Sequence, residues 1–203
     1  MSNNTIITIS RQYGSGGREI GKKLAERLGI PFYDKELITL AAKDSGFAEH
    51  LFEKTDSTAT NSLLYSLSLY GNTMGLYDMP LNDKLFIAQA KTIKKVADAG
   101  PCVIVGRCAD YVLRSYPNVL NIFIHSDMES KIRRVVEEYH VESDNIVDLI
   151  NKTDKKRATY YNYYTGMKWG RAENYHLSLR TDCVGIDGAV ETIIRFVESL
   201  QKK

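Results

Sequence analysis

A glycine cluster near the start of the chain has the composition and spacing of a phosphate-binding loop. The stretch ISRQYGSGGREIGKKLAERLGI begins as a β-branched strand, passes through GSGG and ends as an amphipathic helix. The backbone N–H groups of Gly14, Ser15, Gly16 and Gly17, together with the helix N-terminus, are then aimed at one anion. The spacing predicts phosphate binding, and an ordinary strand-to-helix turn is the alternative.

The loop lacks the Gly-Lys-Ser/Thr sequence that commonly ends such loops. In one register Gly17 and Arg18 replace the Gly-Lys pair, and Glu19 takes the place of the Mg²⁺-binding Ser or Thr. In the ungapped register Gly17 itself falls on the lysine. Arg18 is in the first helical turn either way, so we expect it to bind phosphate oxygens, with Arg11 as the second candidate. The Glu19 carboxylate is a candidate metal ligand, or else stabilises the helix N-terminus.

Alternating strand and helix patterns predict the framework that positions this loop. Apolar runs predict strands over residues 5–10, 30–34, 102–106, 119–125 and 175–180. Helical periodicity covers residues 19–28, 35–45, 83–99, 109–115, 127–139 and 188–200. Gly29 and Gly100 are expected to end helices, and Asp127 and Asp187 to cap the next ones. The order indicates an α/β fold with an open parallel sheet covered on both faces.

Length and composition predict a single domain over residues 1–203. The 27 Lys and Arg nearly balance the 25 Asp and Glu, so the net charge of +2 gives no general attraction to nucleic acid or membranes. Cys102, Cys108 and Cys183 show neither CxxC spacing nor a His cluster, which favours reduced structural thiols. Without a basic leader or a run of about 18 apolar residues, the chain is expected to be soluble and cytoplasmic.

Two stretches interrupt the alternation. Residues 47–82 are rich in Ser, Thr, Asn and Gly, and are expected to be partly helical and mobile. Residues 141–174 concentrate charged and aromatic side chains. We interpret both stretches as appendages to the α/β core.

The sequence resembles the cytidylate kinase-like branch of the P-loop nucleoside monophosphate kinases almost end to end. The resemblance is carried by ISRQYGSGGREIGKKLAERLGIPFYDKELI, VGRCADYVL and TDKKRATYYNYYTGMKWG. It implies a three-layer P-loop NTPase fold with a five-stranded parallel sheet, a helical acceptor-binding region over about 35–90 and a lid over about 141–174. It also implies ATP, Mg²⁺ and nucleotide substrates. Neither nucleic acid nor a membrane is an expected partner, and the oligomeric state is left open.

The resemblance assigns roles beyond the loop. Arg107 follows the third strand, where cytidylate kinases carry a Gly-Arg-Asp turn, and looks like a ligand for the acceptor's phosphate. Cys108 stands in place of that Asp, and Asp110 is a candidate substitute. Asp34, after the second strand, either borders the ligand crevice or caps the next helix.

The expected lid supplies the remaining candidate catalytic groups. Lys155, Lys156 and Arg157 are predicted to bring cations over the transferring phosphates, with Asp154 orienting one of them. A solvated helix face is the alternative reading of this charged run. The tyrosines at residues 160–164 and Trp169 are expected mainly to pack on the core, although stacking on a base is an alternative.

The sequence thus predicts ATP-dependent phosphoryl transfer to a nucleoside monophosphate, with CMP or dCMP as the expected acceptor. A P-loop kinase of another small molecule is one alternative, because the acceptor residues depart from the family pattern. A catalytically inactive nucleotide-binding regulator is another, because the loop lysine is absent. Nucleic-acid binding through KKRATYYNYY is disfavoured by the balanced charge.

Overall fold

A five-stranded parallel sheet forms the centre of the protein in a computed structural model that describes residues 5–55 and 79–200. The strands are β1 (Ile6–Arg11), β2 (Phe32–Tyr33), β3 (Val103–Val105), β4 (Val119–His125) and β5 (Leu177–Arg180). Their order is β2-β3-β1-β4-β5. Ile9 of β1 aligns with Val105 of β3 on one side and with Ile122 of β4 on the other. The loop that follows β1 therefore emerges at the middle of the sheet's carboxyl edge.

Helices cover both faces of this sheet. They are α1 (Gly17–Leu28), α2 (Glu36–Ser45), α3 (Glu49–Thr55), α4 (Leu81–Asp98), α5 (Ala109–Val112), α6 (Met128–Arg133), α7 (Ile146–Thr165) and α8 (Thr181–Leu200). A π-helical turn (Arg134–Glu138) follows α6, and a 3-10 turn (Ala172–Asn174) precedes β5. On one face α1 and α8 bury Ile20, Leu24 and Ile193 against the strands. On the other face α4, α5 and α7 form a second apolar layer, so the architecture is three-layered as predicted.

Local signals in the sequence account for several helix ends. Gly29 ends α1 with a left-handed φ of 65°, and the Asp127 carboxylate accepts the Ser130 N–H at 2.8 Å to cap α6. The predicted cap at Asp187 is wrong, because the helical run Thr181–Leu200 is interrupted at Gly185, where φ is 69° and ψ is 178°, and resumes before Asp187. The Asp187 carboxylate instead accepts a hydrogen bond from Lys23 at 2.9 Å.

The stretch over residues 47–82 is partly helical, as expected. It contains α3 and the first residues of α4. The prediction of mobility falls mainly on residues 56–78, which lie outside the described residues.

Most of the stretch over residues 141–174 is the 20-residue helix α7. The Asn145 side chain caps this helix by accepting the Asp148 N–H at 3.0 Å, and Gly166 ends it in the left-handed conformation. Its inner face buries Tyr160, Tyr161 and Tyr164. The prediction that these tyrosines pack on the core is confirmed. Over residues 5–55 and 79–200, no helix has the length and apolarity to cross a bilayer.

Candidate active site

The loop between β1 and α1 has the conformation that its glycines permit. Gly14 and Gly16 have φ angles of 77° and 78°, in the left-handed region that L side chains rarely adopt. A Cβ atom at Gly14 would also lie 2.8 Å from the backbone carbonyl oxygen of Lys131 on α6. The tight loop therefore requires glycine both for its backbone conformation and for its close approach to α6.

Hydrogen bonds to the backbone carbonyl groups of this loop hold its conformation. The buried Ser15 hydroxyl donates to the Gln12 carbonyl at 2.8 Å, and the Thr181 hydroxyl donates to the Ser15 carbonyl at 2.9 Å. The Arg134 guanidinium donates to the Gly14 carbonyl at 3.0 Å. Because the N–H of a planar peptide points opposite to its carbonyl, the Tyr13 and Gly16 N–H groups face the other way. The Tyr13 N–H donates to the Asp154 carboxylate at 2.6 Å, so this side of the loop already contacts an anionic group.

The predicted loop-side residues Arg11, Arg18 and Asp34 lie together. The Arg18 Nε donates to Asp34 Oδ2 at 2.6 Å, and the Arg11 guanidinium lies 3.8 Å from Asp34 Oδ1. The hydrogen bond to Asp34 raises the pKa of Arg18, so its positive charge is secure. The Glu19 carboxylate lies 3.2 Å from the ammonium of Lys23, on the exposed side of α1.

A cleft of about 600 Å³ opens over the loop. Its walls include Gln12, Tyr13, Gly14, Gly17, Arg18, Glu19, Lys22, Lys35 and Tyr139, together with Arg11 and Arg157. We call this space the loop cleft. Of the predicted phosphate ligands, Arg11, Gly14, Gly17, Arg18 and Glu19 line this cleft, whereas Ser15 and Gly16 are buried and are not among its wall residues.

A second cavity of about 300 Å³ lies between the end of β3 and α7. Its walls include Ser10, Gly106, Cys108, Thr153, Tyr160, Tyr161 and Trp169, with four cationic side chains from Arg11, Arg107, Lys156 and Arg157. We call it the basic cavity. Arg107 and Cys108 both have left-handed φ angles, of 59° and 54°, and this sharp turn after β3 carries Arg107 to the cavity wall.

Two arginines line both spaces. Arg11 and Arg157 are in the walls of the loop cleft and of the basic cavity alike. The Arg157 guanidinium donates to the Arg11 carbonyl at 3.0 Å and lies 5.6 Å from the centroid of the Tyr13 ring. A cation therefore stands where an anion bound on the loop would meet an anion bound in the basic cavity.

Two basic residues border this site that the sequence pattern does not identify as site residues. Lys131 and Arg134 lie on the segment after β4, and both are buried against the loop. The Lys131 ammonium is 3.0 Å from Asp154 Oδ2 and 3.4 Å from Gln12 Oε1. The sequence pattern of KIRR predicts only part of a helix. Its position just after a strand's carboxyl end was the signal that it borders the crevice.

Asp110 has a structural partner. It is buried, and its carboxylate accepts a hydrogen bond from the Tyr161 hydroxyl at 2.7 Å. Burial raises the pKa of the Asp110 carboxyl, and the Tyr161 hydrogen bond offsets part of that rise. Burial likewise raises the pKa of Tyr161. A role for Asp110 in acceptor binding stays a prediction.

Replacing Asp110 with asparagine is expected to change the pH dependence of stability. A carboxyl with a raised folded-state pKa stabilises the fold below its ordinary pKa of about 3.9, and this contribution is lost as pH rises through the raised value. Asparagine does not titrate, so Asp110→Asn should gain stability relative to the unmodified chain as pH rises above about 4. Urea unfolding across this range measures the difference. Asp148→Asn, an exposed change on α7, is the control, and parallel curves for Asp110→Asn would contradict the expectation.

Comparison with known proteins gives the site its context. A model of the cytidylate kinase-like family matches residues 6–183. A cytidylate kinase from Ignicoccus hospitalis (strain KIN4/I) is 23% identical over 196 residues, which cover 95% of this chain and 99% of that protein. A crystal structure of an uncharacterized protein from Eubacterium ventriosum ATCC 27560 is 31% identical with a TM-score of 0.73, over 96% of this chain and 99% of the other.

A more distant structure confirms the fold. A gluconokinase from Sinorhizobium meliloti 1021 is 14% identical, with a TM-score of 0.55 over 99% of this chain and 98% of that one. The fold is that of the P-loop kinases, and family and fold together support a nucleotide or small-molecule kinase. The matched residues include the loop, the turn at Arg107 and all of α7. This chain belongs to the cytidylate kinase-like family.

Proposed function

We propose that this protein transfers the γ-phosphoryl group of ATP to a nucleoside monophosphate, with CMP or dCMP as the acceptor. The observation that carries the proposal is the shared wall between two ligand spaces. Arg11 and Arg157 line both the loop cleft and the basic cavity. Phosphoryl transfer needs a donor and an acceptor held in line with cations between them, more than it needs covalent chemistry.

The loop cleft is the proposed donor site. Backbone N–H groups of the loop and the N-terminus of α1 bind the phosphates of ATP, and Arg18 and Arg11 add positive charge at the rim. Asp34 holds both guanidinium groups and so positions them rather than binding the donor itself.

The loop cleft offers Mg²⁺ one carboxylate, that of Glu19, which lies 3.2 Å from the Lys23 ammonium. Mg²⁺ is commonly held by one or two carboxylates together with substrate phosphates. Glu19 would be its protein ligand, and the ion would neutralise charge on the transferring group. Among the described residues, no cluster of three His, Cys, Asp or Glu offers a site for a metal ion without the substrate.

The basic cavity is the proposed acceptor site. Arg107 and Lys156 line this cavity and would bind the acceptor's phosphate, while Tyr160 and Trp169 would provide aromatic surface. This arrangement suits a small molecule that carries a phosphate and a flat ring. Support for CMP or dCMP comes from the family match and from the 23% identical cytidylate kinase. Cys108, at the position where the family pattern has Asp, lines this cavity and would affect the choice of base.

An acceptor panel tests the proposal. ADP formation from ATP and Mg²⁺ is measured with CMP, dCMP, UMP, AMP, GMP, gluconate and no acceptor. Stimulation by CMP or dCMP supports the proposal. If only another acceptor stimulated ADP formation, the protein would still be a kinase, but CMP and dCMP would not be its acceptors. ATP binding with no stimulation by any acceptor would instead indicate a nucleotide-binding regulator.

A further inference from the structure

We propose that Lys131 supplies the phosphate-binding cation that the loop lacks, and that the Asp154 carboxylate occupies the place of a phosphoryl group until the donor binds. The inference deepens the proposed function, since it adds to the proposed donor site a cation that lies behind the present walls of the loop cleft. It concerns binding of the phosphate chain and does not depend on which acceptor is used.

The contacts of Asp154 resemble those that a bound phosphoryl group needs. Its Oδ1 accepts the Tyr13 backbone N–H at 2.6 Å, and its Oδ2 accepts from the Lys131 ammonium at 3.0 Å. The Arg157 guanidinium lies 3.9 Å from the same Oδ1. One loop amide and two cations thus converge on a single anionic group. Such donors are the usual partners of phosphate oxygens.

The geometry allows a phosphoryl group to take over these partners. Two oxygens of a carboxylate and two oxygens of a phosphoryl group are separated by similar distances. A phosphoryl group at the place of the Asp154 carboxylate would therefore reach the Tyr13 N–H and the Lys131 ammonium together. The phosphoryl group carries more charge and a third acceptor oxygen, so it competes well for the same donors.

Burial explains why an internal anion is needed before the donor binds. The side chains of Lys131 and Asp154 are 6% and 14% exposed. A buried cation without a partner destabilises a fold strongly, whereas a paired one does not. Asp154 therefore keeps Lys131 in place in the empty enzyme. Binding of a polyanion repels the carboxylate and shifts the population toward a state with Lys131 on phosphate.

The position of Lys131 suits this role better than that of the loop residues themselves. In the ungapped register the expected lysine falls on Gly17, which has no side chain. Arg18, the neighbouring cation, already donates to Asp34. Lys131 comes from α6, packed so closely on the loop that its carbonyl oxygen lies 2.8 Å from where a Gly14 Cβ would be. The missing charge of the loop is thus provided from an adjacent helix.

The test compares variants whose charge changes predict opposite effects. Binding of inorganic tripolyphosphate and of ATP is measured by calorimetry at low salt, alongside thermal unfolding without ligand. Lys131→Met should weaken tripolyphosphate binding by about tenfold or more, because a charge-assisted contact is lost, while Lys131→Arg retains most of it. Asp154→Asn should tighten binding, because the competing internal anion is neutralised.

If the Lys131–Asp154 ion pair had only a structural role, the variants would change tripolyphosphate binding differently. Loss of either partner would then weaken binding together with the melting temperature, so weakening by Asp154→Asn would overturn the proposal. The matched controls Lys152→Met and Asp148→Asn alter an exposed ion pair on α7. If these controls changed tripolyphosphate affinity more than the variants of Lys131 and Asp154 do, the proposal would also be overturned. If Lys131→Met does not fold, the affinities of Lys131→Arg and Asp154→Asn for tripolyphosphate still show whether the Asp154 carboxylate weakens or strengthens binding. Because tripolyphosphate binding needs no acceptor, its result is independent of the acceptor panel.

Discussion

Replacing Arg157 with alanine is expected to lower kcat for phosphoryl transfer by about two to three orders of magnitude, the effect of removing a preorganised donor from a transition state. The Arg157 guanidinium is in the walls of both the loop cleft and the basic cavity. Its hydrogen bond to the Arg11 carbonyl fixes the orientation of the side chain. Charge that develops on the transferring group lies between the two ligands. Steady-state kinetics with the best acceptor of the panel measures this effect.

The fold should tolerate Arg157→Ala, since the side chain is 27% exposed and the hydrogen bond it loses is worth about 1 kcal/mol. Arg195→Ala is the matched control, because Arg195 is exposed on α8 and pairs with Glu191. Arg157→Lys should recover only part of the rate, because an ammonium keeps the charge without the planar fork. A folded Arg157→Ala variant within about threefold of the original kcat would place the transferring phosphoryl group elsewhere.

The central strands were predictable because a strand buried on both faces has a continuous apolar sequence. Residues 119–125 were assigned from this pattern, and β4 has the same bounds in the structure. The helix α1 was predictable for a related reason, since its buried positions recur with helical period and a left-handed glycine follows it. Local sequence decides these elements, and their packing agrees with it.

The helix α7 was not recognised, because its buried face is made of tyrosines. Burial of Tyr161 is compatible with its polar hydroxyl because Asp110 accepts its hydrogen bond at 2.7 Å. Tyr160 finds a comparable partner in Gln89 at 3.3 Å. Those partners come from other elements, so the sequence around α7 alone shows a charged, aromatic stretch without a clear apolar period.

The residues of the site differ in the same way, since strand order positions some of them and tertiary packing positions others. Arg11 ends β1 and Arg107 follows β3, and these parallel strands are neighbours in the sheet, so topology alone brings both residues to one edge. Lys131 reaches the loop only because α6 docks against Gly14, a contact between residues far apart in sequence. A pattern of residue types predicts the first relationship, whereas the second depends on tertiary packing.

Restoring a lysine to the loop by Gly17→Lys is expected to reduce phosphoryl transfer by at least about two orders of magnitude instead of improving it. A Cβ at Gly17 would lie 2.5 Å from the Cβ of Arg11 and 3.2 Å from that of Ile124. Both neighbours belong to central strands, so neither atom can move aside without shifting the sheet. Overpacking of this kind costs about 1 to 3 kcal/mol of stability. It also displaces Arg11, which lines both ligand spaces.

Two further variants separate the steric effect from the effect of charge. Gly17→Ala adds the same Cβ without a charge, so it should reproduce most of the loss in kcat and in melting temperature. Gly188→Lys, on α8, places its Cβ in an ordinary 3.4 Å contact with Val184 and should behave like the original protein. If Gly17→Lys instead matched or exceeded the original rate, the strand would have to yield at Arg11. The phosphate cation would then belong in the loop, and Lys131 would no longer be needed to provide it.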